Sequence, residues 1–173
     1  MLRMNKTLET VVMTRLPEDF ESFFTDHRDR LFGALWLVTR DRHEAEDLAQ
    51  DAFLRVWERW DRVGAMDDPA GYLYRTGMNL FRNRRRRALL AVRRAVHLAP
   101  SDEQIDAVEE RDPLMRALGG LTRGQRTALV LTDLLQMTSE EAGRILGVRA
   151  STVRVLAARG RSALRERMGD DDA

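Results

Sequence analysis

Apolar side chains recur at helical spacing along most of this chain, and the alternation typical of β-strands is hard to find. The clearest stripe begins at Ala45 and repeats at three- and four-residue steps as far as Trp60. Acidic residues fill its first turn, where the helix dipole favours negative charge. We therefore predict one continuous helix, whose buried face consists of Ala45, Leu48, Ala49, Ala52, Phe53, Val56, Trp57 and Trp60.

Further helices are predicted on both sides of this stripe. Gly64 and Pro69 interrupt the pattern and predict a loop over residues 62–69. Two later helices start at capping boxes, Thr122 with Gln125 and Thr138 with Glu141. The predicted helices cover about residues 18–38, 70–87 with a possible continuation to 98, 113–118, 122–135, 139–146 and 151–167.

Composition bounds the class of protein. The chain has 173 residues, 43% of them hydrophobic and 33% charged, which is enough apolar material for a core. It has no cysteine, which excludes disulfides, zinc-thiolate sites and cysteine nucleophiles and fits a cytoplasmic location. The net charge of +1 excludes a uniformly basic protein that coats nucleic acid, and no apolar run is long enough to span a bilayer.

The charges are segregated along the chain. The local balance is −6 over residues 17–51, +8 over 75–94, −5 over 101–112 and +6 over 144–167. Two separate basic blocks indicate two anion-binding faces, while solvated faces on an ordinary helical protein remain the alternative.

Residues 138–154 carry the pattern of a helix-turn-helix. Gly147 falls in the turn, Val148 is expected to plug the junction, and a basic helix follows. A helix fits the major groove of DNA, so side chains on its first turns reach base edges. The predicted reading face is Ser151, Thr152, Arg154, Val155 and Arg159, with Arg161 and Arg165 on phosphates. A plain helical hairpin is the alternative.

Two other helices present candidate surfaces. On the 70–87 helix, aromatic and amide side chains alternate with arginines, as suits an unpaired DNA strand. The alternative there is that Tyr74, Met78 and Phe81 are simply core. On the Ala45 helix an acidic ridge lies opposite the buried stripe and suits a basic helical partner, unless it is only a solvated acidic face. The acidic ridge consists of Asp47, Gln50, Asp51 and Leu54.

These three motifs, in this order, resemble bacterial RNA polymerase sigma factors. Residues 45–57 are similar to the helix that binds core polymerase, and residues 71–80 with the following arginines are similar to the −10 recognition helix. The helix-turn-helix resembles the −35 reader. With no other domain visible, the chain resembles the extracytoplasmic-function (ECF) group.

The resemblance implies an all-α fold of two small helical domains joined by a flexible acidic linker. The implied boundaries are a leader at 1–16, region 2 at 17–95, the linker at 96–111, region 4 at 112–169 and a tail at 170–173. It also implies a non-enzymatic protein without metal or cofactor. The implied partners are the clamp coiled coil of core RNA polymerase, promoter DNA and an anti-sigma factor.

The resemblance also assigns residues. The acidic ridge would bind core polymerase, and the 62–69 loop would capture a flipped −10 base. The −10 contacts would be Arg75, Asn79, Arg82, Asn83, Arg85 and Arg86. The −35 contacts would be Arg149, Ser151, Thr152, Arg154, Val155, Arg159 and Arg161. Arg149, Leu156 and Ala158 depart from the residue types common in the family, which bears on −35 preference rather than on the fold.

Two other functions are weighed against this one. A polymerase-independent helix-turn-helix regulator would explain residues 138–154 but gives no reason for the acidic ridge. An enzyme is disfavoured, because the three histidines are scattered. His43 and Asp47 have the i, i+4 spacing of a metal pair, but an ordinary surface pair is the preferred interpretation.

Overall fold

The computed structural model describes residues 18–94 and 113–169, and every regular element in these two stretches is a helix. The predicted leader, linker and tail lie outside them. The helices are α1 (Glu18–Thr39), α2 (Arg42–Trp57), α3 (Trp60–Val63), α4 (Pro69–Arg94), α5 (Pro113–Gly119), α6 (Arg123–Leu129), which runs on into a π-helical turn (Val130–Leu134), α7 (Ser139–Leu146) and α8 (Ala150–Gly169). The predicted all-α fold is confirmed. None of the described helices combines the length and the apolar character needed to cross a bilayer.

Helices α1 to α4 form an N-terminal bundle around the predicted stripe. Its fully buried side chains include Leu48 and Val56 of α2, Leu31 and Leu35 of α1 and Met78 of α4, which belong to one hydrophobic cluster. The chain breaks between α1 and α2 as expected. Arg40 takes a left-handed conformation (φ 58°), and the Asp41 carboxylate caps α2 by accepting a hydrogen bond from the Glu44 amide at 2.9 Å.

The prediction that the stripe continues to Trp60 in one helix is wrong. Helix α2 ends at Trp57, and Arg59 leaves helical geometry with φ −126° before α3 begins. Trp60 is instead held by other contacts: its indole nitrogen donates to Asp19 Oδ2 at 3.0 Å, and its ring meets Phe20 edge-on at 5.0 Å. Spacing alone could not separate this arrangement from a straight helix, because Trp60 still packs against the same core.

Helix α4 shows the possible continuation beyond residue 87, as far as Arg94. It begins at Pro69, whose missing N–H costs nothing in the first turn, and Asp68 accepts a hydrogen bond from the Gly71 amide at 2.7 Å. It continues through the arginine run to Arg94 because arginine is a good helix former. The result is a basic rod that leaves the N-terminal bundle.

Helices α5 to α8 form a C-terminal bundle whose helix starts were predicted correctly. Both capping boxes are present, with reciprocal hydrogen bonds at Thr122/Gln125 and at Thr138/Glu141. The helix predicted over 122–135 widens in its last turn, where the Leu135 amide donates to Val130 O at 2.9 Å. The two bundles touch: α1 packs on α6 and on the π-helical turn, and α4 packs on α7.

Candidate nucleic-acid and protein interfaces

The turn between α7 and α8 depends on two glycines. Gly147 ends α7 in the left-handed region (φ 72°), a conformation that favours glycine. Gly143 allows a close approach, because a β-carbon built on it would lie 2.7 Å from the Val148 carbonyl oxygen. The expectation that Val148 plugs the junction is wrong, since its side chain is 39% exposed. The backbone itself closes the turn, since the Val148 amide donates a hydrogen bond to the Gly143 carbonyl at 3.0 Å.

Helix α8 has one buried and one exposed side. Val153, Ala157 and Gly160 are buried against the rest of the C-terminal bundle. Every residue of the predicted reading face is exposed, and so is Arg149 in the preceding turn. Arg154 lies 3.8 Å from the Glu140 carboxylate on α7. A row of polar and basic side chains on a helix start therefore faces outward, as contact with a DNA groove requires.

Arg161 is engaged within the protein. Its guanidinium donates to both Asp133 carboxylate oxygens, at 2.9 and 3.0 Å. Both bonds come from one nitrogen, Nη1, and each is strengthened by the opposite charges of the two groups. A DNA phosphate would have to compete with this carboxylate, and Asp133 was not singled out from the sequence because it lies 28 residues away from Arg161.

On α4 the core alternative is correct for the aromatic residues. Tyr74, Met78 and Phe81 are all buried. The Tyr74 hydroxyl lies 2.8 Å from Nδ1 of His27, and burial raises the pKa of Tyr74 and lowers that of His27. Tyr72, a further aromatic residue of α4, is partly exposed, and its hydroxyl accepts a hydrogen bond from Arg59 at 3.3 Å.

The predicted −10 residues fall into two groups. Asn83 and Arg86 are exposed and Asn79 is half-buried, with no inter-bundle bond among the described contacts. Arg75 and Arg82 reach the C-terminal bundle: Arg75 lies 3.3 Å from Glu141 and 3.5 Å from Asp68, and Arg82 donates to the Arg144 carbonyl at 2.8 Å.

Arg85 also lies close enough to the C-terminal bundle for the charge of Arg123 to affect its pKa. Partial burial is the main cause that lowers the pKa of Arg85, and the positive charge of Arg123 adds to it. Arg84, outside the predicted set, lies 4.0 Å from Glu44 and 3.8 Å from Asp47. Burial raises the pKa of Glu44, while Arg84 opposes that shift. The arginine run of α4 therefore lies close to acidic side chains of α2, through Arg84, and to Arg123 of α6, through Arg85.

The acidic ridge of α2 is exposed along its whole length. Leu54 is 51% exposed although it lies on a helix whose opposite side is fully packed. Beside the ridge runs a groove of about 500 Å³, lined by Phe24, Phe32, Arg42, Gln50 and Phe53 among others. This groove was not predicted, because half of its lining comes from α1. An exposed leucine between carboxylates, next to aromatic side chains, is suited to a helical protein partner.

The segment predicted to capture a flipped base lies between α3 and α4. Residues 62 and 63 belong to α3, so the loop itself is residues 64–68. An open surface pocket at its start is lined by Arg59, Asp61 and Arg62. Arginines there suit a phosphate or a base, and Tyr72 stands within hydrogen-bonding distance of Arg59.

Comparisons with known proteins point in one direction. Residues 23–89 match the family described as Sigma-70 region 2, and residues 111–164 match the family described as Sigma-70, region 4. The chain is 31% identical to the ECF RNA polymerase sigma factor SigE of Mycolicibacterium smegmatis, over 85% of this chain and 60% of that protein. It is 29% identical to the RNA polymerase sigma-E factor of Streptomyces avermitilis, over 89% of this chain and 87% of that one.

A solved structure shares the fold. The sigma factor RpoE of Bartonella quintana, crystallised with the anti-sigma factor NepR, superposes with a TM-score of 0.61 at 22% identity. The match covers 88% of this chain and 98% of that one. The chain thus spans nearly all of the Streptomyces and Bartonella proteins, and about 60% of the length of the mycobacterial one.

Proposed function

The chain belongs to the ECF group of the sigma-70 family of RNA polymerase sigma factors, and we propose that three of its surfaces carry out promoter-directed initiation. In this proposal region 2 comprises residues 17–95 and region 4 residues 112–169, joined by 96–111. The acidic ridge binds core polymerase, α4 binds the −10 element, and α8 binds the −35 element. Its role is regulatory, in the cytoplasm with the polymerase and the chromosome, and no covalent step is assigned to its residues.

The exposed ridge on α2 is the observation that carries the proposal. Helix α2 buries six side chains on one face, and on the other face it leaves Leu54 half-exposed between acidic side chains. That second face is suited to a protein partner that covers the leucine and pairs with the acids. A DNA-binding regulator without a polymerase partner gives no use for that face. A basic coiled coil would satisfy it, since Leu54 supplies apolar area and Asp47 and Asp51 supply charge.

The −10 contact rests on the charge and reach of α4. Opening the duplex costs base stacking and pairing, and capture of an unstacked base offsets that cost. Asn79 and Asn83 offer amides to base edges, while the arginines of this helix follow the phosphates. The pocket of Arg59, Asp61 and Arg62 is the nearest candidate for the flipped base.

The −35 contact rests on the exposed reading face of α8. Ser151, Thr152 and Arg154 stand on the first two turns, the part of a recognition helix that enters the major groove. Val155 is 48% exposed and offers an apolar contact of the kind that a thymine methyl accepts. Arg149 and Arg159 flank the same side, where phosphate contact is expected to make binding depend steeply on salt.

An anti-sigma factor is proposed as a further partner. The support is by analogy: the Bartonella sigma factor of the same fold was crystallised with one.

The test is a pull-down of core RNA polymerase by the full chain, followed by in vitro transcription from a genomic promoter pool. Asp51→Arg reverses a charge at the centre of the ridge and is expected to reduce core binding at least tenfold, by analogy with charged interface positions. Glu21→Arg is the matched control, an exposed acid on α1 away from the ridge, and is expected to bind core normally.

Two outcomes would contradict the proposal. One is that Asp51→Arg binds core as well as the wild-type chain does. The other is that the chain initiates at no promoter but footprints an operator alone as a dimer, which would favour the polymerase-independent regulator.

A further inference from the structure

The first turn of α7 carries two adjacent glutamates that face different ways. Glu141 turns back to the start of its own helix, where its carboxylate accepts a hydrogen bond from the Thr138 amide at 3.0 Å. Glu140 lies beside α8 instead, and its Oε1 is 3.8 Å from Nη1 of Arg154. One carboxylate therefore starts helix α7, whereas the other stands next to the predicted reading face of α8.

The backbone of the helix-turn-helix sets the distance between Glu140 and Arg154. The turn between their helices is closed by the hydrogen bond from the Val148 amide to the Gly143 carbonyl at 3.0 Å. Glu140 stands in the first turn of α7, where the helix dipole favours its negative charge. Both side chains of the pair are well exposed, at 66% for Glu140 and 62% for Arg154. The pair is therefore accessible to a DNA duplex that enters from the α8 side.

A carboxylate beside a DNA-binding face carries an electrostatic cost, because the phosphates of the duplex repel it. Two contacts offset that cost. The carboxylate can accept a hydrogen bond from the amino group of cytosine, or it can hold the guanidinium of a neighbouring arginine. The position of Glu140 favours the second contact, since its carboxylate already faces the guanidinium of Arg154.

We propose that Glu140 is a positioning residue for −35 recognition, whose carboxylate directs the Arg154 guanidinium toward the edge of a guanine and away from the phosphates. The inference rests on the proposed function, because it requires that α8 reads the −35 element. An arginine that reads guanine presents two N–H groups together to O6 and N7. Its long, flexible side chain can otherwise reach phosphates, which are the same in every sequence. A carboxylate that holds one side of the guanidinium leaves the other N–H groups for the base.

The expected effect is on the preference between bases more than on affinity. An exposed pair with charged atoms 3.8 Å apart changes an equilibrium about two- to fivefold. Without the carboxylate, Arg154 is free to contact phosphates, which helps binding to all sequences alike. The same change removes the orientation that favours guanine, so the preference at that base pair falls.

The test measures base preference with the full chain bound to core polymerase. A promoter recovered from the genomic pool is randomised over its −35 element, and the sequences that are bound give the preference at each base pair. Arg154→Ala identifies the base pair that Arg154 reads and is expected to lower the preference for guanine there about tenfold. Glu140→Gln and Glu140→Asp are then compared at the same base pair. Neither substitution alters the capping box of Thr138 and Glu141, so α7 retains its start.

Glu166→Gln is the matched control. It also removes a negative charge from an exposed side chain of the C-terminal bundle, but that side chain lies three turns beyond Arg154 on α8 and accepts a hydrogen bond from Ser162 at 3.2 Å. Any general gain in DNA affinity from a lost negative charge is therefore present in the control as well.

Glu140→Gln is expected to lower the preference for guanine at the Arg154 base pair about two- to fivefold and to leave the other base pairs unchanged. Glu140→Asp retains the charge but is one methylene group shorter, so it is expected to lower the same preference. Glu166→Gln is expected to change no preference. In an Arg154→Ala background, Glu140→Gln is expected to have no effect on the preference, because the arginine that it positions is absent.

Three results would overturn the inference. The first is an equal preference for guanine in the wild-type and Glu140→Gln chains. The second is a Glu140→Asp chain that behaves like wild type, which would mean that only the negative charge near the phosphates matters. The third is an effect of Glu140→Gln that is the same with and without Arg154. Each of these leaves the proposed function standing as long as the wild-type chain selects a −35 sequence, whereas a wild-type chain that selects none contradicts the −35 assignment itself.

Discussion

The same glycine-to-alanine change is predicted to have opposite effects at two positions, because the structure leaves different space there. At Gly33, in the middle of α1, an added β-carbon meets nothing within 4 Å. Alanine there reduces the entropy of the unfolded chain and is expected to stabilise region 2 by about 0.5–1 kcal/mol. At Gly143 the β-carbon would lie 2.7 Å from the Val148 carbonyl oxygen, and backbone cannot rotate away as a side chain can.

The magnitude at Gly143 follows from two opposing effects. Helix propensity gains about 0.5–1 kcal/mol, as at Gly33, while forcing the turn away from α7 costs about 1–3 kcal/mol. The midpoints of these two ranges give a net loss of about 1 kcal/mol in region 4. We also expect weaker −35 binding, since the angle between α7 and α8 must change.

Urea denaturation separates the two effects. The three tryptophans of the chain, Trp36, Trp57 and Trp60, all lie in region 2. Trp36 shares a surface pocket with Leu118 of the C-terminal bundle, so a Trp36→Phe background leaves two tryptophans that report region 2, whereas circular dichroism reports both regions. Gly33→Ala is expected to raise the urea concentration at the midpoint of the fluorescence transition. Gly143→Ala is expected to lower the midpoint of the region 4 transition, which is the part of the circular-dichroism change that has no counterpart in fluorescence. If the Gly143→Ala chain were as stable as wild type, the close approach of Gly143 to the Val148 carbonyl oxygen could not be what requires glycine in this turn.

Three further predictions concern other contacts. Asp133→Asn releases Arg161 from its two-point pair and is expected to tighten −35 duplex binding about two- to fivefold and to steepen its salt dependence, measured by fluorescence anisotropy. Leu48→Ala is expected to cost region 2 about 2–5 kcal/mol, whereas Leu54→Ala leaves stability within about 0.5 kcal/mol and weakens core binding, as urea denaturation and pull-down will show. Burial holds the pKa of His27 below its ordinary 6.5. As the pH falls below about 6.5, the unfolded chain therefore takes up the proton before the folded chain does, and region 2 loses stability. His27→Asn is expected to reduce this loss, which is measured by comparing fluorescence-monitored unfolding at about pH 7.5 and about pH 5.5.

Features set by neighbours along the chain were predictable from the sequence. The α2 stripe from Ala45 to Val56 is buried as its spacing indicated, since helical period alone decides which side faces the core. Both capping boxes and the left-handed Gly147 were recognisable for the same reason, because each depends on residues within four positions. The exposure of the acidic ridge follows from the burial of the opposite face.

Features that depend on distant residues were not predictable. Trp60 has the spacing of the stripe, but its bond to Asp19, 41 residues away, goes with a separate short helix. Val148 has the character of a plug, yet the hydrogen bond from its amide to the Gly143 carbonyl closes the turn. The contact of Arg75 with Glu141 spans 66 residues, and no local pattern marks either residue for the other.

The balanced charge of the chain takes on a specific meaning in the structure. Three arginines predicted to contact DNA each face a carboxylate of this chain: Arg75 faces Glu141, Arg154 faces Glu140, and Arg161 faces Asp133. At each of them a phosphate competes with a carboxylate, which reduces the gain on DNA binding most at the close Arg161 pair and least at the exposed Arg154 pair, where the charged atoms are 3.8 Å apart. The three acids all belong to the C-terminal bundle, on α7 and on the π-helical turn. Specificity then depends on contacts that carboxylates cannot imitate, namely the base edges reached by the amides of α4 and by the first turns of α8.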